Sequence, residues 1–147
     1  MITLTDANIS HHDTSVYDMV VKRLSPQITL IKNQMERLKE LLPLTSPMFF
    51  ILLALSDGEN HGYAIMQMVQ HLSDGTVRMG PATLYTTLRR LRELELIEDR
   101  TNEDSDDSRR RQYRLTHAGK WLLNAEIKRM ENVLRKAKRS VAPNALN

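Results

Sequence analysis

Three arginines in a row, Arg109, Arg110 and Arg111, follow a stretch in which Glu103, Asp104, Asp106 and Asp107 crowd together. Clustered carboxylates hold hard cations, whereas guanidinium forks fit planar oxyanions such as phosphate. The cation reading has a template to meet. Asn102, Asp104 and Asp106 alternate as the first ligands of a calcium loop would, but that loop needs glycine where Asp107 stands and a bidentate glutamate where Tyr113 stands. The acidic stretch is therefore expected to be solvated, and the arginines carry the chemistry. A second group of anion-binding types, Tyr85, Thr86, Arg89 and Arg90, lies in "TLYTTLRRL".

Other chemistries lack their residues. With no cysteine among 147 residues, thiol catalysis, disulfides and Cys-ligated zinc are excluded. His61, His71 and His117 do not place two ligands around a carboxylate on one helical face, so no metal is expected. No phosphate-cradling glycine loop and no G-x-S-x-G elbow occurs, and five glycines leave little room for one. We expect no enzyme activity and no cofactor. The net charge of +3 is mild, so any basic surface must be local. No basic n-region with an apolar core opens the chain, and the longest apolar run, Met48 to Leu55, is far short of the ~20 residues of a membrane span. A cytoplasmic protein is the expectation.

The elements that must position these groups follow from period and punctuation. Residues 1–13 carry no period and are expected to be disordered. From Tyr17 the apolar residues Val21, Leu24, Ile28, Ile31, Met35, Leu38 and Leu42 alternate steps of four and three, a heptad seam. Ser25-Pro26 predicts a break or kink within it, because proline lacks a donor. Ser46 as cap and Pro47 at the first position open an all-apolar core helix ending by Gly58. His61 to Leu72 follows, with Ile65, Met68, Val69 and Leu72 on one face, and Asp74-Gly75 turns the chain. "TVRM" reads as a single edge strand.

Gly80 and Pro81 then open a helix with a core stripe of Leu84, Leu88 and Leu91, whose opposite face presents Ala82, Tyr85, Thr86, Arg89, Arg90 and Glu93. "LIEDRT" and "RRRQYRLT" form a hairpin around the acidic tip, with Tyr113 and Leu115 on one side of its second strand. Thr116 caps a last helix with a second heptad seam through Leu123, Ile127, Met130 and Leu134. Trp121 belongs by default to the packing of that helix, and the basic run Lys128 to Arg139 to its wet side.

A core helix, a second helix, a turn, a third helix with a basic face and a two-stranded wing is the order of a winged helix-turn-helix. The fold class expected is mainly α with a small β hairpin, flanked by terminal helices. "HGYAI", "TLYTTLRRL" and "QYRLTHAGK" further resemble the PadR family of bacterial transcriptional regulators, whose pattern runs H-G-Y, T-L-Y-x-x-L-x-x-L and Y-x-L-T-x-x-G in this order. The resemblance covers roughly Ser46 to Glu126 and is to the shorter subgroup with one C-terminal helix. Thr86 stands where the family often has proline, and the N-terminal helical extension is this chain's own.

The resemblance implies a homodimeric repressor of double-stranded DNA, with a near-palindromic operator, phosphate contacts at Tyr63 and Tyr85, and room for a small hydrophobic effector. Recognition helix 81–95 and wing 96–116 would supply Pro81, Ala82, Thr83, Tyr85, Thr86, Arg89, Arg90, Arg109, Arg110 and Arg111 to DNA, and the preceding helix Tyr63. Leu24, Ile28, Ile31, Met35, Leu38 and Leu42 with Leu123, Ile127, Met130 and Leu134 would form the dimer. The corresponding division is an extension at 14–43, a DNA-binding domain at 46–116, a dimerisation helix at 117–142 and a loose tail at 143–147. Two plainer readings compete. Arg89 could merely pair with Glu93 on a solvated face, and the winged domain could dock an acidic protein in place of DNA.

Overall fold

The computed structural model describes residues 11–100 and 111–142. Most of the segment expected to be disordered, the wing tip with Arg109 and Arg110, and the tail lie outside the described residues. The chain forms two compact units, Met1–Glu40 and Leu41–Asn147.

The described part of the first unit forms one helix, α1, His11–Lys39. It begins inside the segment expected to be unstructured, and it runs through Pro26 without the predicted break. The reason is local. Proline removes one donor, that for the Lys22 carbonyl, and this turn is exposed, so the carbonyl is open to solvent. Across the same turn the Thr29 hydroxyl donates to the Ser25 carbonyl at 2.9 Å, spanning the site where a break was expected.

The second unit contains α2 (Ser46–Ala54), β1 (Asn60–His61), α3 (Gly62–Leu72), α4 (Pro81–Glu93), β2 (Ile97–Arg100), β3 (Gln112–Leu115) and α5 (His117–Val141). Helix α2 is the central element its composition demands: Ile51, Leu52 and Ala54 are wholly buried. It starts one residue earlier than Ser46 as cap would require. Thr45 holds the cap position without a side-chain bond, and its carbonyl accepts from the Phe49 amide at 2.9 Å.

Helices α3 and α4 pack on α2 through Ile65 and Val69, and through Leu84, Leu88 and Leu91. Each such burial is worth roughly 1.5–3 kcal/mol. The leucine stripe therefore fixes which face of α4 points outward. Both helices end in paired backbone bonds around a left-handed residue. At α3, Asp74 has φ 50° and the Gly75 amide reaches back to the Gln70 carbonyl. At α4, Glu95 has φ 57° and the Leu96 amide reaches the Leu91 carbonyl at 2.9 Å.

The sheet is antiparallel with strand order β1-β3-β2. Its third strand is Asn60–His61 and not "TVRM", a correction with an identifiable cause. The buried Ser73 hydroxyl oxygen accepts from the Val77 amide at 3.1 Å, and the Thr76 hydroxyl donates to the Ser73 carbonyl, so that segment bonds back to the end of α3. In the wing, Ile97 faces Leu115 and Asp99 faces Tyr113. Thr116 then caps α5 as expected: its hydroxyl oxygen accepts from the Gly119 amide at 3.1 Å and donates to the Glu95 carbonyl. The start of α5 packs into this unit through Gly119, Leu122 and Leu123, and beyond Met130 its apolar residues are exposed. The winged helix-turn-helix read from the order of elements is the architecture observed.

Candidate functional site

Helix α4 enters its first turn with Pro81 and no acidic residue, and Gly80 at the cap makes no side-chain bond. Its first-turn amides are thus left open at the positive end of the helix. With Leu84, Leu88 and Leu91 buried, the residues left outside include Pro81, Ala82, Thr83, Tyr85, Thr86, Arg89 and Arg90, with Arg92 and Glu93 at the far end. The Tyr85 ring lies against Gly62 at the start of α3: a Cβ added there would sit 3.1 Å from the Tyr85 hydroxyl. Glycine in the "HGY" motif therefore makes room for the tyrosine of "TLY". Tyr63 beside it is 61 % exposed, and its hydroxyl accepts from Gln67 Nε2 at 3.1 Å.

Tyr85, Leu88, Arg89 and Arg92 of α4 and Arg111 and Tyr113 of the returning wing strand line a recess of about 250 Å³. Asp99 stands across the wing from Tyr113 and takes two of these arginines: Arg92 Nη1 at 2.8 Å and Arg111 Nη1 at 3.5 Å. Arg89 has no carboxylate partner among the described residues. The local pairing considered for Arg89 and Glu93 belongs to Arg90, whose guanidinium is 3.9 Å from Glu93. The recess is thus lined by three guanidinium groups, of which two pair with the Asp99 carboxylate and Arg89 does not, and it is cationic. Burial pushes the Tyr113 hydroxyl above the ordinary tyrosine pKa, with Arg111 opposing, so it stays protonated and able to donate.

Arg92, Asp99 and Tyr113 were not singled out for this site from the sequence. Asp99 is an unremarkable strand residue until β-pairing sets it beside Arg111. Arg109 and Arg110 lie outside the described residues. No group of three His, Asp or Glu side chains among the described residues could hold a metal ion.

Of the residues expected in the dimer seams, Leu24, Ile28 and Ile31 are exposed, as are Met130 and Leu134. Met35, Leu42 and Ile127 are half-buried, whereas Leu38 and Leu123 are already covered within the single chain. The sequence also hid a buried carboxylate. Glu126 on α5 is 2 % exposed, accepts from Arg129 Nε at 2.7 Å and Nη2 at 2.8 Å, and accepts from the Leu44 amide at 3.3 Å. The Arg129 hydrogen bonds hold its carboxyl below the usual carboxylate range, against the effect of burial. A Glu-x-x-Arg spacing on one helical face was its only signal.

The family model for the transcriptional regulator PadR-like family matches residues 51–125, from the middle of α2 into α5. The chain belongs to the PadR-like family of transcriptional regulators. A protein of Lysinibacillus sphaericus described only as uncharacterised protein X is 31 % identical over 83 residues, which is 56 % of this chain and 76 % of that one. An uncharacterised 37.1 kDa protein in transposon TN4556 of Streptomyces fradiae is 35 % identical over 97 residues, covering 66 % of this chain but only 26 % of its own length. Among solved structures, a PadR family transcription regulator from Clostridium difficile matches 65 % of this chain and 97 % of its own with 28 % identity and a TM-score of 0.50. The PadR-like family is one of transcription regulators and not of enzymes. No helix among the described residues is long and apolar enough to cross a membrane.

Proposed function

We propose that this PadR-like regulator is a homodimeric repressor that binds a near-palindromic operator in double-stranded DNA. The N-terminal half of α4 enters the major groove, and the wing formed by β2 and β3 follows the flanking backbone. The observation that carries this reading is the cationic recess, in which Arg89 of the helix and Arg111 of the wing stand together beside exposed Tyr85. Planar guanidinium groups suit guanine edges and phosphates. Pro81, Ala82, Thr83 and Thr86 are small enough to let the helix approach base edges, and Tyr63 is exposed toward phosphate. Arg90, Arg109 and Arg110 add backbone contacts in this reading. Exposed Met130 and Leu134 on α5 and the exposed seam of α1 support a dimer, whose two-fold symmetry would set the recognition helices ~34 Å apart. Release of the repressor by a small hydrophobic effector belongs to the same proposal.

The test is selection of bound fragments from random duplex DNA, with affinity measured over a range of salt and the particle mass measured alongside. Each neutralised phosphate adds about −0.9 to the log–log salt slope, so a steep slope on a selected two-fold-symmetric site supports the proposal. A flat slope, or no duplex binding at low salt, overturns it in favour of a winged domain that docks an acidic protein.

A further inference from the structure

Helix α1 carries a continuous apolar stripe that its own chain leaves open: Tyr17 is 70 % exposed, Ile28 60 % and Ile31 57 %, with Val21 and Leu24 also exposed. It lies wholly before the segment that the family model matches. We infer that this stripe is the seam of an antiparallel pair of α1 helices, the second supplied by another copy of the chain, with the two-fold axis crossing near Pro26. The inference takes only the second copy from the homodimer reading; orientation and register come from the helix itself.

Steps of three and four assign the heptad positions uniquely: Val21, Ile28 and Met35 are a, and Tyr17, Leu24 and Ile31 are d. In an antiparallel pair each a meets a d. Centred near Pro26, Val21 packs on the partner's Ile31, Ile28 on the partner's Leu24, and Met35 on the partner's Tyr17. This register uses the open part of the stripe and leaves out Leu38, which is already buried.

Charge selects the orientation. The e positions are Asp18, Ser25 and Lys32, and the g positions are Val20, Gln27 and Gln34. A parallel pair sets g against e, giving Gln27 with the partner's Lys32 and no opposite charges. The antiparallel pair sets e against e, so Asp18 faces the partner's Lys32 twice, while Ser25 and Gln27 meet their own copies at the axis. Mixed Tyr, Leu and Ile at d impose no parallel preference by shape. The placement also accounts for the proline: Pro26 is at f and Lys22 at b, both on the side away from the seam, so the orphaned carbonyl faces water in the pair as it does in one chain.

The chain has no cysteine, so single cysteines can be introduced into the full-length protein without background. Chains carrying Tyr17→Cys mixed with chains carrying Met35→Cys should be joined by a short bis-maleimide, whereas either variant alone should not, since its two sites then lie about 27 Å apart at 1.5 Å per residue. Asp18→Lys should lower the mixed cross-link severalfold, and Asp18→Lys combined with Lys32→Asp should restore it. Cross-linking of Tyr17→Cys chains to themselves, or no mixed cross-link in a folded dimer, overturns the antiparallel pair. These variants leave α4 and the wing untouched, so loss of the cross-link with duplex binding intact refutes this inference and spares the proposed function. Absent duplex binding with the cross-link present does the reverse.

Discussion

At Gly119 α5 passes close to the backbone of the wing, and Gly119→Ala tests whether the fold depends on that approach. A Cβ at this position would lie 2.0 Å from the Leu96 carbonyl oxygen, 3.0 Å from its carbon and 3.3 Å from Leu115 Cδ2. The oxygen cannot swing aside. It accepts from the Thr116 amide at 3.1 Å, the Leu96 amide is bound to Leu91, and the Leu96 side chain is fully buried. Relief therefore requires α5 to move off by more than an ångström or β2 to shift, which places the cost at the upper end of overpacking, about 3 kcal/mol. Tilting α5 also strains the Thr116 cap, worth about 1 kcal/mol, and the better helix propensity of alanine returns about the same. The net loss is about 3 kcal/mol, or roughly 12 °C in Tm for a domain of this size. Thermal unfolding followed by far-UV circular dichroism measures it, with exposed Lys120→Ala as a control expected within about 0.5 kcal/mol of wild type. A Gly119→Ala protein as stable as wild type, or more so, would refute the close approach and the register of α5 on the wing.

Arg89→Ala should cost roughly 1–3 kcal/mol at one operator position and little elsewhere; a uniform loss over a panel of operator variants would make Arg89 a phosphate contact only. Asp99→Asn removes the carboxylate shared by Arg92 and Arg111, so binding to every duplex should tighten and the salt slope should steepen by about one phosphate, and weaker binding in a folded variant would sink this account. Glu126→Gln probes pH. Because the folded carboxyl is held below its ordinary value near 4.5, its contribution is present above that value and lost as pH falls through the lowered one. Wild type should thus be the more stable protein at neutral pH, with the gap in Tm closing on acidification below about 4.5; parallel curves would show that the Arg129 and Leu44 bonds add nothing specific to the charge.

Much of the architecture was legible because it is written in local period. The leucine stripe at Leu84, Leu88 and Leu91, the glycine and proline that open α4, the Asp74-Gly75 turn and the Thr116 cap each act within a turn or two, so residue type and spacing suffice to read them. Some local signals were overruled by their surroundings. Pro26 does not break α1 because its turn is solvated, and "TVRM" does not join the sheet because Ser73 takes its backbone bonds.

The sequence by itself determined the order of the helices and the place of the hairpin, the outward face of α4 with Arg89 and Arg90, and the heptad pattern of α1. Only the tertiary structure decided which groups meet across long separations. Strand register set Asp99 between Arg92 and Arg111, the fold brought the Leu44 amide to Glu126 across 82 positions, and the close passage of α5 over Leu96 required Gly119. The physical reason is that helix and turn signals arise from contacts a few residues apart. A recess, a buried ion pair or a backbone contact depends instead on how whole elements dock, and no spacing along the chain records that.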